Sequence, residues 1–177
     1  ETDKKVILLT QHPVSEEWRE AGMQIRETLE AVRAFDLQVV VIYPHADAGG
    51  RKIIEEIERA RNNPFFHIFP SLEYKQFLAL EREAAVWVGN SSAAMAESSS
   101  FKTPVVNIGT RQLGRQQGGN VIDVGYDRNE IRKAIEKSLY DKSYLLKLKK
   151  IKNPWGDGKT GPRVSKILEE LEIVPKL

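Results

Sequence analysis

Four short polar stretches hold the side chains that could do chemistry. The run Gly89-Asn90-Ser91-Ser92 follows an apolar stretch and leads into small residues, Ala93, Ala94 and Ala96. A loop that leaves a strand and opens a helix turns backbone N–H groups and the positive helix end toward an anion. The Ser91 and Ser92 hydroxyls add donors, and Gly89 lets a ligand approach the backbone. Glu97 follows about one and a half helical turns later. A carboxylate there accepts hydrogen bonds from a vicinal diol such as ribose.

The second stretch is Gly109-Thr110-Arg111-Gln112-Leu113-Gly114-Arg115. Its two arginines are suited to phosphate or carboxylate, which guanidinium grips bidentately, and its glycines suggest a mobile or closely approached backbone. The third is Gln11-His12-Pro13. Pro13 biases His12 toward an extended backbone, and a histidine at a strand end is a candidate for proton transfer or phosphate donation. The fourth places His45 beside Asp47. Each stretch also admits a plainer role: a serine cap with a surface glutamate, solvated arginines, a structural histidine. His67 falls inside a predicted strand and reads as structural.

Two further runs imitate known motifs without their context. Residues 156–161 spell G-x-G-x-x-G but follow a proline-containing linker rather than a strand. Gly158-Lys159-Thr160 resembles a P-loop ending, but Asn153 stands where the first glycine belongs. With no cysteine and three widely spaced histidines, the sequence predicts no metal and no cofactor. The Asn90-Ser91-Ser92 sequon carries little weight, since no signal peptide is recognised.

These stretches need elements to hold them. Apolar runs over 5–10, 38–43, 65–69, 85–88 and 104–108 predict strands, and Val121-Ile122 a short sixth. Between them the spacing predicts a helix over 16–35 capped by Ser15, with Trp18, Met23, Ile25, Leu29 and Val32 on its apolar face. Further helices are expected over 51–62, 73–82, 93–98, 130–140 with Asp127 as cap, and 162–171 after a linker over 153–161. Strands alternating with helices imply βαβ units: an α/β fold, a Rossmann-like parallel sheet with helices on both faces. In such sheets ligands sit at the carboxyl ends of the strands, where all four stretches fall.

At 177 residues, with 41% hydrophobic and 29% charged residues, the chain suits one globular domain over 1–177. A net charge of +2 argues against nucleic acid as a partner. The lysines at 147, 149, 150 and 152 read as a solvated helix end. No run reaches the roughly 20 apolar residues that would span a bilayer, so no membrane partner and a cytoplasmic location are expected.

Taken in order, Gln11-His12-Pro13, Tyr43-Pro44, Asp47-Ala48-Gly49, Gly89-Asn90-Ser91-Ser92 with Glu97, the run from Thr103 through Arg115, and Asn153-Pro154-Trp155-Gly156-Asp157-Gly158 resemble the C-terminal half of a UDP-N-acetylglucosamine 2-epimerase. The hydrolysing branch, which yields N-acetylmannosamine and UDP for sialic acid-type sugars, is the closer match. The resemblance implies one half of a GT-B-like two-domain enzyme, with the active site between two Rossmann-like domains. It implies that Ser91 and Ser92 lie at the diphosphate, Glu97 at the ribose and Tyr74 or Phe77 near the uracil, with Asn90 also among the UDP-binding residues. His12 is implied as catalytic, with His45, Asp47, Arg111, Gln112 and Arg115 lining the cleft. UDP and UDP-N-acetylglucosamine are the implied partners, and a homodimer is compatible with the family's habits.

The carboxylates that move the sugar's C2 proton belong to the family's N-terminal domain, which has no counterpart in this chain. The expectation is therefore half a site, able to hold nucleotide but not to turn over substrate. Glu1, rather than Met, at the first position fits that expectation. His45 departs from the family's usual Asn. Glu55 and Glu58 stand where the bifunctional animal members carry arginines needed for CMP-sialic acid feedback, so none is expected here. The alternatives are a stand-alone UDP-sugar-binding module and the C-terminal half of a GT-B glycosyltransferase.

Overall fold

A computed structural model describes residues 5–171. Six strands, β1 (Val6–Thr10), β2 (Gln38–Ile42), β3 (Phe66–Phe69), β4 (Val86–Gly89), β5 (Val105–Ile108) and β6 (Val121–Val124), form one sheet in the order β3-β2-β1-β4-β5-β6. Every pairing is parallel. The order reverses direction between β1 and β4, so a crevice opens at their carboxyl ends.

The four central strands are predominantly apolar because both their faces are covered. Alternate residues supply the two layers. Ile7, Leu9, Val39, Val41, Val86, Val88, Val106 and Ile108 pack on one side with α1 (Ala21–Arg33), α2 (Gly50–Arg59) and α6 (Arg128–Tyr140). Leu8, Ile42, Trp87 and Val105 pack on the other with α3 (Tyr74–Glu83) and α4 (Ser92–Ala96). Trp87 is fully buried, donates its indole N–H to Thr10 Oγ1 at 2.6 Å, and meets the Phe77 ring edge-on. Burying such an indole is worth about 3 kcal/mol or more on truncation to Ala.

Several local expectations need correction. The first helix starts at Ala21, and Ser15–Glu17 is a separate 3₁₀ turn in which Ser15 caps nothing. Trp18, which precedes the helix, and Met23, on its outer side, are exposed, while Ile25, Leu29 and Val32 are buried. The helix expected over 93–98 is two short pieces, α4 and α5 (Ser98–Phe101), which meet at Glu97. Ser98 Oγ donates back to the Ala94 carbonyl, a bond known to bend helices. A further helix, α7 (Lys142–Leu148), lies outside those the sequence pattern predicts. Its signal was Asp141, which accepts from the Ser143 and Tyr144 N–H groups. Asp127 caps α6 as expected, accepting from Asn129 and Glu130 N–H. The final helix, α8 (Thr160–Glu170), begins two residues early. Among the described residues no helix is long and apolar enough to cross a membrane.

Candidate functional site

The crevice between β1 and β4 is held by one side chain. Asn90, almost fully buried, accepts from the His12 N–H at 2.7 Å and donates to the His12 carbonyl at 2.9 Å. Its own N–H donates to the Thr10 carbonyl at 3.1 Å. Asn90's carbonyl then receives Gln112 Nε2 at 2.7 Å and Arg111 Nη1 at 3.1 Å. Three stretches far apart in sequence, those of His12, Asn90 and Arg111, thus converge on one residue. The side chain that the sequon exposes to consideration is occupied and buried, leaving no room for glycosylation.

Gly89 makes this convergence possible for a different reason than anticipated. Its φ is +130°, and a Cβ there would lie 2.0 Å from the Thr10 carbonyl oxygen. The space it frees is filled by β1, not by a ligand. Gly109, at φ +73°, is similarly overlaid by the Tyr126 ring, 2.2 Å from a hypothetical Cβ. That loop is a close-approach backbone.

His12 is buried and stacks on His45, with ring centroids 4.2 Å apart and planes 5° from parallel. The His45 N–H donates to His12 Nδ1 at 3.1 Å. A neutral imidazole that accepts at Nδ1 carries its proton on Nε2. Burial, then the His45 and Arg111 charges, lower the His12 pKa to about 3, so the ring is a neutral donor at physiological pH. Arg111 is half-buried and loses some basicity to burial, while Asp47 counters and Arg115 adds to that effect. His12, His45, Asp47, Arg111 and Arg115 therefore share one electrostatic neighbourhood.

Ser91 stands at the N-cap of α4 without a side-chain capping bond. With only five residues, α4 carries less dipole than a longer helix, so the anion-binding potential rests on backbone N–H groups and hydroxyls. Glu97 is partly buried, and that burial raises its pKa. The segment after α7 clamps this region: Trp155 Nε1 donates to the Met95 carbonyl at 3.0 Å and Asn153 Nδ2 to Ser100 Oγ at 2.7 Å. Phe77 is packed in the layer beneath, whereas Tyr74 is 71% exposed. His67 lies apart in β3, against Gln38.

Sequence reasoning missed Glu17. It accepts from Thr110 Oγ1 at 2.7 Å, Tyr126 OH at 2.8 Å and Gln24 Nε2 at 2.7 Å, tying the arginine loop to the entry of α1. Nothing in its local sequence marks it, because all three donors are distant or on another element. A cavity of about 590 Å³ borders the site, lined by Trp18, His45, Asp47 and Lys52 among others. A larger one of about 680 Å³ at the β6–α6 edge shares only the Gly109 loop with the site. The switch point, where the polar groups converge, is the better candidate.

Sheet order and site together define a Rossmann-like domain of the kind that forms one half of GT-B-like enzymes. The family model described as UDP-N-acetylglucosamine 2-epimerase matches residues 1–169, and the chain belongs to that family. It is 33% identical over 171 residues to the UDP-N,N'-diacetylbacillosamine 2-epimerase (hydrolyzing) of Legionella pneumophila, covering 97% of this chain and 44% of that relative. It is 31% identical over 127 residues to the UDP-N-acetylglucosamine 2-epimerase of Neisseria meningitidis, covering 72% of this chain and 33% of the relative. The fold matches the crystal structure of the Neisseria meningitidis enzyme bound to UDP-GlcNAc with a TM-score of 0.78 at 21% identity, over 97% of this chain and 46% of that one. The chain spans less than half the length of these curated relatives.

Proposed function

We propose that this chain is the UDP-binding half of a hydrolysing UDP-N-acetylglucosamine 2-epimerase, and that by itself it binds UDP without turnover. One observation carries the reading: His12, Arg111 and Gln112 are all anchored on Asn90 beside the serine loop that opens α4. Neutral His12 donates from Nε2 to the diphosphate, Arg111 balances its charge, and the Ser91–Ser92 loop supplies further donors. Glu97 accepts from the ribose hydroxyls, and Phe77 or Tyr74 borders the uracil.

In the parent reaction a base removes the C2 proton while the bond from C1 to UDP breaks, giving a 2-acetamidoglucal. Water then adds at C1 and a proton returns to the opposite face of C2. The residues described here hold the departing UDP and meet the negative charge it gains, and the proton-moving carboxylates come from the other half. The hydrolysing assignment is supported by the Legionella relative's description.

Calorimetry on the chain tests this reading. UDP and UDP-N-acetylglucosamine should both bind, with no free N-acetylmannosamine released. Glu97→Ala should weaken UDP by about tenfold, the worth of a hydrogen bond to a charged group, and leave pyrophosphate unchanged. No heat with millimolar UDP, or equal losses for both ligands, would overturn the assignment. Free N-acetylmannosamine from the complete parent enzyme would decide the hydrolysing outcome; UDP-N-acetylmannosamine instead would reject it.

A further inference from the structure

The helical segment that carries Glu97 breaks at Glu97 itself, and a break frees carbonyl groups that must find other donors. α4 ends at Ala96 and α5 starts at Ser98, with Glu97 between them at φ −105° and ψ −38°. The Ser100 N–H, which an unbroken helix would give to the Ala96 carbonyl, goes to the Glu97 carbonyl at 2.9 Å. Side chains meet the carbonyls of α4. Ser98 Oγ donates to Ala94. Trp155 Nε1 donates to Met95 at 3.0 Å and Asn153 Nδ2 to Ala96 at 3.4 Å. The Ala96 carbonyl belongs to the peptide unit that leads into Glu97.

Asn153 and Trp155 form one clamp, 53 to 60 positions further along the chain. Asn153 Oδ1 accepts the Trp155 N–H at 2.9 Å and fixes the turn between them. Asn153 Nδ2 also donates to Ser100 Oγ at 2.7 Å. One side-chain amide therefore reaches the segment on both sides of Glu97.

The rest of the segment is fixed from elsewhere. Asn120, fully buried, donates to Ser98 Oγ and to the Thr103 carbonyl, both at 2.7 Å. The loop that opens α4 is anchored by Asn90 on the His12 backbone. Among the described residues no hydrogen bond holds the Glu97 carboxylate, and burial alone raises its pKa. Where that carboxylate points follows from the backbone beneath it, and the clamp grips that backbone.

We propose that Asn153 and Trp155 are positioning residues for Glu97, which hold the Met95 and Ala96 carbonyls and the Ser100 hydroxyl so that the carboxylate meets the ribose. The segment after α7 is then part of the nucleoside grip. The inference rests on the reading of Glu97 as the ribose acceptor. Linkage makes the effect reciprocal: UDP should stabilise the clamp, and pyrophosphate should not.

The test is calorimetry with UDP and with pyrophosphate on the chain and its variants. Trp155→Phe keeps an aromatic ring and removes the indole N–H. Trp155 is 46% exposed, so this change leaves the core intact. UDP should bind about fivefold more weakly, the worth of one neutral hydrogen bond. Asn153→Ala removes both donors and the turn, and should weaken UDP about tenfold. Pyrophosphate, held by the loop anchored on Asn90, should respond to neither. In a Glu97→Ala background, Trp155→Phe should have no further effect on UDP, because the clamp acts through that carboxylate. A merely structural role would lower stability and leave the preference for UDP over pyrophosphate unchanged. Equal losses for the two ligands, wild-type UDP affinity in either variant, or full additivity in the double variant would overturn the proposal.

A ligand-free readout separates the clamp from the nucleotide reading. Both variants should speed hydrogen exchange at the Glu97 and Ser100 amides, which donate to the Ala93 and Glu97 carbonyls, while the amides of β4 keep wild-type rates. Unchanged exchange at those two amides refutes the clamp even where UDP binds normally. If wild type binds no UDP, the nucleotide reading fails and takes the ribose role of the clamp with it.

Discussion

The Asn90 side-chain amide spans the backbone of His12, taking its N–H at 2.7 Å and giving to its carbonyl at 2.9 Å. Both groups are buried. Asn90→Ala leaves them unpaired and should cost about 2–4 kcal/mol of stability, measured as a shift in the denaturant midpoint. Asn90→Asp keeps the acceptor but sets a carboxylate against the His12 carbonyl, so it should not rescue. Rescue by Asp would mean that only the N–H bond matters.

Gly89→Ala tests the close approach of β1 and β4. The added Cβ meets the Thr10 carbonyl oxygen at 2.0 Å, in a backbone region that L-residues avoid. A loss of about 3 kcal/mol or more is expected in equilibrium unfolding, from overpacking and backbone strain together. A loss below 1 kcal/mol would contradict this account of the strand pair.

Glu17→Ala should act at a distance from the nucleotide. It removes the acceptor for Thr110, Tyr126 and Gln24, and so frees the loop that bears Arg111. Glu17 is only partly buried, so the stability cost after solvent screening should be about 1 kcal/mol. Hydrogen exchange at residues 110–115 should speed up, and UDP affinity should drop severalfold. Unchanged exchange in that loop would remove Glu17 from its positioning role.

His12 should remain uncharged from pH 5 to pH 8, since its pKa is lowered to about 3. The unfolded imidazole protonates near 6.5, so the unfolded state binds more protons below that value and stability falls as the medium is acidified. By pH 5 the loss attributable to His12 should be roughly 1–2 kcal/mol, and it should vanish in His12→Gln. An NMR titration of the His12 ring with a midpoint above 5 would refute the neutral-donor role.

Much of the fold was legible in the chain. The apolar strand runs, the turns between them and the Asp127 cap are local signals, and the parallel sheet follows from their alternation. Three of the polar stretches now anchored on Asn90, and the Asp47 loop beside them, could be located because ligands on such sheets gather at the strands' carboxyl ends. The resemblance to the epimerases came from the same stretches, in order, and the family assignment agrees.

The tertiary structure decided what each residue does there. Sequence order cannot tell that Asn90 spends its amide on His12, that Gly89 yields to Thr10 rather than to a ligand, or that Ser98 divides the helix at Glu97. Glu17 carries no local mark at all, since a carboxylate's role depends on which donors reach it through space. Backbone propensity and hydrophobic period act over a few neighbouring residues, so the sequence by itself determined the elements and their loops. Hydrogen-bond partners, burial and shifted pKa values arise between residues as much as 109 positions apart, as in Tyr126 and Glu17, and only the packed sheet brings those together.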